Sequence, residues 1–226
     1  MTDTVNEDIR EEFRSLFVGD RTLGDSFAPP LLFVFVNAIW SLGIAAGIAI
    51  ASGAVVALWR VRKGQQVIYA IAGIVGVAFA AFLAVRTGRA ETYFLPGIVS
   101  ALAYALGTLL SVLMKRPLAA WASWAYRQWP IDWYWRDDVR PAYSYVSWFW
   151  LGYFVLRGGV SGWLFLIEQP ELLAIYKTVT SWPTILPLFY FTYRLGVQRR
   201  NALDGPNVEE HATGATPPYL GGQRRF

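Results

Sequence analysis

The chain has no cysteine, which excludes disulfides, thiolate metal sites and a cysteine nucleophile. Histidine occurs once, at His211 in a polar stretch, so no apolar segment contains an imidazole. Charge is scarce too: 16% of residues are Asp, Glu, Lys or Arg, against about 25% in an average soluble domain. No Walker-type phosphate loop, GxSxG elbow, HExxH pair or pair of Asp residues within an apolar run is found. These absences predict a protein that is not an enzyme and binds no metal and no cofactor. The basic residues are scattered over several segments, which argues against nucleic acid as a partner. The N-terminus lacks a short apolar core followed by a small-residue cleavage site, so the first apolar run is expected to serve as the insertion signal.

What fills the chain is apolar: 55% hydrophobic and 16% aromatic residues over 226 positions. Runs of 18 or more residues almost free of charge are long enough for a helix to cross a hydrocarbon core of about 30 Å. The block 27–59 would make a single helix of about 50 Å. It is therefore read as two compact spans joined near Trp40–Gly43. The expected fold is an all-α polytopic membrane helical bundle of about six transmembrane helices, at 27–42, 43–59, 66–85, 93–114, 145–167 and 172–193. The last is interrupted by Pro183 and Pro187. Residues 117–142 mix Trp121, Trp124, Trp129, Trp133 and Trp135 with Arg and Asp, a composition suited to the headgroup zone.

Both ends differ from this membrane domain of 25–195. Residues 1–24 carry an amphipathic pattern at 4–18, with Ile9, Phe13, Leu16 and Phe17 on one helical face. Thr4 and Glu7 have capping-box spacing. This reads either as an interfacial helix or as an amphipathic tail. Residues 196–226 are rich in Gly, Pro and Arg and are expected to be disordered. With six spans and both termini in the cytoplasm, only Arg86 and Arg89 lie outside, and Arg157 and Lys177 fall within spans. Every other basic residue lies inside, as the positive-inside rule requires, which points to a multi-pass protein of the plasma (inner) membrane.

Small residues recur at spacing four, as in Ala72, Gly76, Ala80 and Ala84, or Gly97, Ala101 and Ala105. Such faces let membrane helices pack closely, within the chain or against a second copy. Charged groups in or beside hydrocarbon need a partner or a wet cavity. The candidates for a polar site are Arg86, Arg89, Glu91, Arg157, Glu168, Glu171 and Lys177. Arg157, near the middle of the fifth span, is expected to pair with Glu168, Glu171 or Glu91. Lys115 and Arg116, with Trp121 and Trp124, are candidate contacts to lipid headgroups. Membrane lipids are thus the first expected partner, and a second copy or another membrane protein the next.

The segment Arg86-Thr-Gly-Arg-Ala-Glu-Thr-Tyr-Phe-Leu-Pro-Gly-Ile98, followed by Gly107, Ser111 and Lys115-Arg-Pro-Leu118, resembles the core of a bacterial membrane-protein family of unknown function, best known from actinobacteria. Pro30-Leu-Leu-Phe-Val-Phe-Val-Asn37 resembles that family's first span. More distantly, the pattern is similar to intracellular septation protein A. The resemblance covers roughly residues 24–195. It implies a non-enzymatic envelope or septation-type scaffold and supplies no catalytic residues. Two other functions are carried as expectations. One is a small solute or ion transporter or channel using Arg157 and nearby carboxylates. The other is a lipid-interacting protein using the Trp-rich segment.

Overall fold

A computed structural model describes residues 28–64, 67–220 and 225–226. The amphipathic stretch 4–18, and all of 1–24, lie outside them. The described residues are helical, with no strand among them. In chain order the helices are α1 (Ala28–Ile39), α2 (Leu42–Arg62), α3 (Val67–Thr87), a 3-10 helix (Ala90–Phe94), α4 (Leu95–Leu113), α5 (Leu118–Arg127), α6 (Ile131–Trp135), α7 (Arg140–Leu166), α8 (Pro170–Val179), α9 (Trp182–Asn201) and α10 (Val208–Ala212).

Four stretches are long and apolar enough to cross a membrane: Leu42–Arg62, Ala70–Thr87, Ala90–Leu113 and Arg140–Leu166. Their outer faces carry large apolar side chains in the open. On α3 these include Ile71, Val75, Phe79 and Phe82, the last 59% exposed, and on α7 Leu156 is 64% exposed. A continuous apolar surface of that length is unfavourable in water and favourable in lipid. The chain is therefore a membrane-embedded helical protein.

The remaining two of the six expected spans are not found as single crossing helices among the described residues. Among the described residues α1 has 12 residues, about 18 Å of rise, which is less than a crossing needs. It ends where Ser41 caps α2, its side chain accepting the Ile44 N–H at 3.5 Å. The stretch 172–193 divides into α8 and α9 at Thr180–Ser181. The break precedes the prolines expected to cause it. Pro183 occupies the first turn of α9, where it has no intrahelical donor to lose, and Pro187 lies inside the helix. The tail is not disordered throughout. α9 continues to Asn201, and Asn207 and Glu210 form a reciprocal capping box on α10. Its polar composition hid this because caps and burial by distant residues hold it, not its own apolar content.

Among the described residues the chain separates into two compact units, one holding residues 28–101 and Arg157–Thr184, the other Leu102–Leu156 and Ile185–Phe226. In the first unit α2 packs on α1 and α3, and α8 packs on α1 and the 3-10 helix. Its core includes Ala45 and Ala49 from α2 and Ala80, Ala81 and Ala84 from α3. Such small side chains let helix backbones approach closely, giving dispersion contacts that apolar burial cannot supply in lipid. Only half of the small-residue face on α3 is used, since Ala72 and Gly76 remain exposed.

The second unit is built on aromatic residues. Trp133, Tyr134 and Tyr143 are completely buried together with Val139 and Ala120. The Trp133 indole N–H donates to the Pro206 carbonyl at 2.9 Å. Arg200, 2% exposed, donates to the carbonyls of Gly205 and Pro206. Gly205 sits against Asp138, where an added Cβ would lie 2.6 Å from the Asp138 carbonyl oxygen. Gly205→Ala is expected to cost about 1–3 kcal/mol, as overpacking does. Gly107→Ala, with nothing within 4 Å of the new methyl, should leave the unfolding midpoint nearly unchanged. Thermal unfolding of the two variants in detergent checks the contrast.

Asp138 adds a pH dependence. The Arg136 guanidinium, bonded to both its oxygens at 2.9 and 2.7 Å, holds the Asp138 carboxyl below its ordinary value. A carboxyl lowered in the folded state stabilises the fold above its unfolded value of about 3.9, and this contribution is lost as pH falls through the folded value. Unfolding midpoints measured from pH 6 downward should fall more steeply for the wild type below that value than for Asp138→Asn.

Candidate functional site: an aromatic pocket with a guanidinium at one end

The second unit contains a cavity of 460 Å³, within the usual range of about 300–1,000 Å³ for small-molecule sites. Three helices wall it. α5 contributes Leu118, Ala122 and Arg127; α7 contributes Val146, Trp150 and Phe154; α9 contributes Phe189, Thr192 and Tyr193. The walls are nearly all apolar, and their one charged side chain is Arg127.

Local chemistry fixes these walls. Pro117 precedes α5 in extended backbone, and Gln128 ends it in the left-handed conformation at φ 56°. The first N–H groups of α5 have no intrahelical acceptor. Leu118 N–H donates instead to Ser111 Oγ and Ala119 N–H to the buried Ser147 Oγ, both at 3.0 Å. The second bond ties α5 to α7 at the cavity floor. Ser123 and Tyr134 hydroxyls meet at 3.1 Å, and burial pushes the Tyr134 hydroxyl up.

At the polar end, Arg127 donates through Nε to the Phe226 main-chain oxygen and through a terminal nitrogen to the Tyr193 hydroxyl, both at 3.1 Å. The same guanidinium lies 4.9 Å from the Trp129 ring centroid. Phe226 is 8% exposed and stacks on Tyr143 at 4.2 Å with 15° between the planes. Its ring lies against Gly196, where an added Cβ would come within 2.5 Å of it. The site thus already holds an apolar ring with an acceptor oxygen beside it. Chemically the pocket is suited to an amphiphile with an acidic or strongly accepting end, because a guanidinium offers several directed donors to such a group.

The candidates named from the sequence fall elsewhere. Arg89 gathers two of them, meeting Glu91 at 2.6 Å and Glu168 at 2.5 Å. Glu168 ends α7 in the left-handed conformation at φ 56°. Arg157 donates to the Thr180 carbonyl oxygen at 3.0 Å, and Lys177 to the Phe94 carbonyl oxygen at 2.8 Å. Arg86 and Glu171 are exposed. In the second unit, Lys115 is exposed and Arg116 stacks on Trp135 at 4.3 Å. Trp121 and Trp124 meet edge to face at 5.8 Å, with Trp121 40% exposed. The pocket residues escaped sequence reading because they come from four separated stretches. Arg127 was visible only as one basic residue among many.

An all-helical protein with four apolar helices of membrane-crossing length and an aromatic pocket defines a class, the polytopic membrane proteins. Within that class, residues 17–202 match the family model described as "Protein of unknown function (DUF3159)", and the chain belongs to this family. No curated protein and no solved structure matches it.

The ion pairs at Arg89 differ in burial: the Glu91 side chain is 7% exposed and that of Glu168 64%. Arg89→Ala strands a buried carboxylate and should destabilise by about 1–3 kcal/mol. Glu168→Ala removes an exposed pair worth about 0–1 kcal/mol. Unfolding midpoints of the two variants should therefore differ clearly, with Arg89→Ala the lower.

Proposed function

We propose that the protein binds an amphiphilic ligand, an aliphatic or aromatic body with one acidic end, in the pocket bounded by α5, α7 and α9. The observation that carries this reading is the seat of Phe226, an apolar ring on Tyr143 with its acceptor oxygen at Arg127. In a membrane protein the abundant molecules of that description are acyl lipids and their acids. The reading belongs to a non-enzymatic lipid-interacting protein of the plasma (inner) membrane with both termini cytoplasmic. The charge asymmetry of the sequence supports that orientation.

Two other readings compete. A septation-type scaffold draws support from residues 86–118, and its partners would be a second copy or another membrane protein. A scaffold needs no internal cavity, however, and the pocket favours ligand binding. A transporter built on Arg157 draws support from the broken helices. Arg157 is engaged by the Thr180 carbonyl, and Glu91 and Glu168 are engaged by Arg89, an arrangement that suits structure better than passage.

Titration of the full chain in detergent with a fluorescent long-chain carboxylate tests the proposal. Saturable binding is expected, with Arg127→Gln weakening it about tenfold or more, the loss of one charged hydrogen bond of about 1.5–3 kcal/mol. Equal binding by wild type and Arg127→Gln, or none by wild type, rejects it.

A further inference from the structure

Phe226, Arg127 and Tyr193 are joined by three hydrogen bonds in a closed triangle. Arg127 Nε donates to the Phe226 main-chain oxygen at 3.1 Å, and the Phe226 N–H donates to the Tyr193 hydroxyl at 3.2 Å. Arg127 Nη2 donates to the same hydroxyl at 3.1 Å. The Phe226 ring stacks on Tyr143 at 4.2 Å and stands edge-on to Tyr193, with centroids 6.5 Å apart. All three members of the triangle line the cavity. One residue thus engages the polar end of the pocket through its backbone and the adjoining aromatic surface through its side chain.

The seat is shaped around that ring. A Cβ on Gly196 would stand 2.5–2.6 Å from three of the ring's atoms. Gly196 lies inside α9, where glycine is a weaker helix former than alanine, and the missing side chain is what makes room. The hold on Phe226 is nevertheless local. It belongs to no helix. Between Leu220, which is 94% exposed, and Phe226 the sequence Gly-Gly-Gln-Arg-Arg has no large apolar side chain. Phe226 is therefore the apolar anchor of this stretch, and its withdrawal uncovers one ring without breaking a helix.

An acidic ligand meets a conflict here. A carboxylate binds a guanidinium best through two parallel bonds to adjacent nitrogens. Arg127 spends Nε and Nη2, the two nitrogens of one fork, on Phe226 and Tyr193. The acid and the Phe226 oxygen cannot both sit on that fork.

We propose that Phe226 is an internal competitor for the pocket: the ligand's acid takes Arg127, and its body the slot between Tyr143 and Gly196, only when Phe226 withdraws. This rests on the amphiphile reading given above and adds a regulation to it. The apparent dissociation constant then exceeds the intrinsic one by the inverse of the fraction in which Phe226 is released.

The fluorescent long-chain carboxylate is titrated into the full chain in detergent, comparing wild type with Phe226→Ala and Gly196→Ala. Phe226→Ala removes the ring and keeps the Arg127 and Tyr193 side chains. Gly196→Ala crowds the ring out while leaving every side chain of the cavity wall in place, and it decides the matter where Phe226→Ala lowers stability. Both are expected to tighten binding about tenfold, as for a competitor seated about nine-tenths of the time. In parallel, 4-fluorophenylalanine is placed at position 226. Its fluorine resonance is expected to move to the solvent-exposed position when the chain is saturated with an unlabelled long-chain carboxylate. Wild-type binding with unchanged or weaker binding in Gly196→Ala, or with the fluorine resonance unmoved at saturation, overturns the competition and leaves the ligand reading standing. No binding by any of the three proteins overturns both.

Discussion

Apolar helices satisfy their own backbone except where they start, stop or break, and in an apolar surrounding each unpaired N–H or C=O there is costly. This protein meets that constraint with side chains. Arg157 and Lys177 hold the carbonyls of Thr180 and Phe94. Ser111 and Ser147 receive the first N–H groups of α5. Trp133 and Arg200 hold the Gly205–Pro206 carbonyls, and Arg127 holds the main-chain oxygen of Phe226. The polar residues that look anomalous in the sequence are largely these caps.

The same solution has different consequences in the two units. In the first, the capping groups are cations, the Lys177 ammonium and the Arg157 guanidinium, each placed at a carbonyl where a helix ends. In the second, caps draw the tail against an aromatic core, so Tyr143, Phe226 and Gly196 meet beside Arg127. The pocket beside them is apolar along its walls and polar at one end, the distribution that favours amphiphiles.

Much of the architecture was legible from hydropathy alone. The apolar runs at 43–59, 66–85, 93–114 and 145–167 correspond to helices of crossing length, because a run of that length with almost no charge has no other satisfactory backbone state in lipid. The break near Trp40 could also be read, from the excess length of the block 27–59. Hydropathy could not resolve Thr180–Ser181, where the residues on both sides remain apolar, nor the tail, where Asn207 and Glu210 order α10 by capping. Among the candidate residues, Arg89, Glu91 and Glu168 stand together. Glu91 and Arg89 are close in sequence, whereas the left-handed Glu168 arrives from the far end of α7.

The sequence by itself determined that the chain is helical and membrane-embedded, because lipid imposes a length and a polarity on every crossing segment and these are properties of consecutive residues. Tertiary structure alone decided where the polar groups converge. Arg127, Tyr193 and Phe226, or Lys177, Phe94 and Gly97, are brought together by helix packing and helix breaks. A hydrogen bond depends on positions in space that no local pattern encodes.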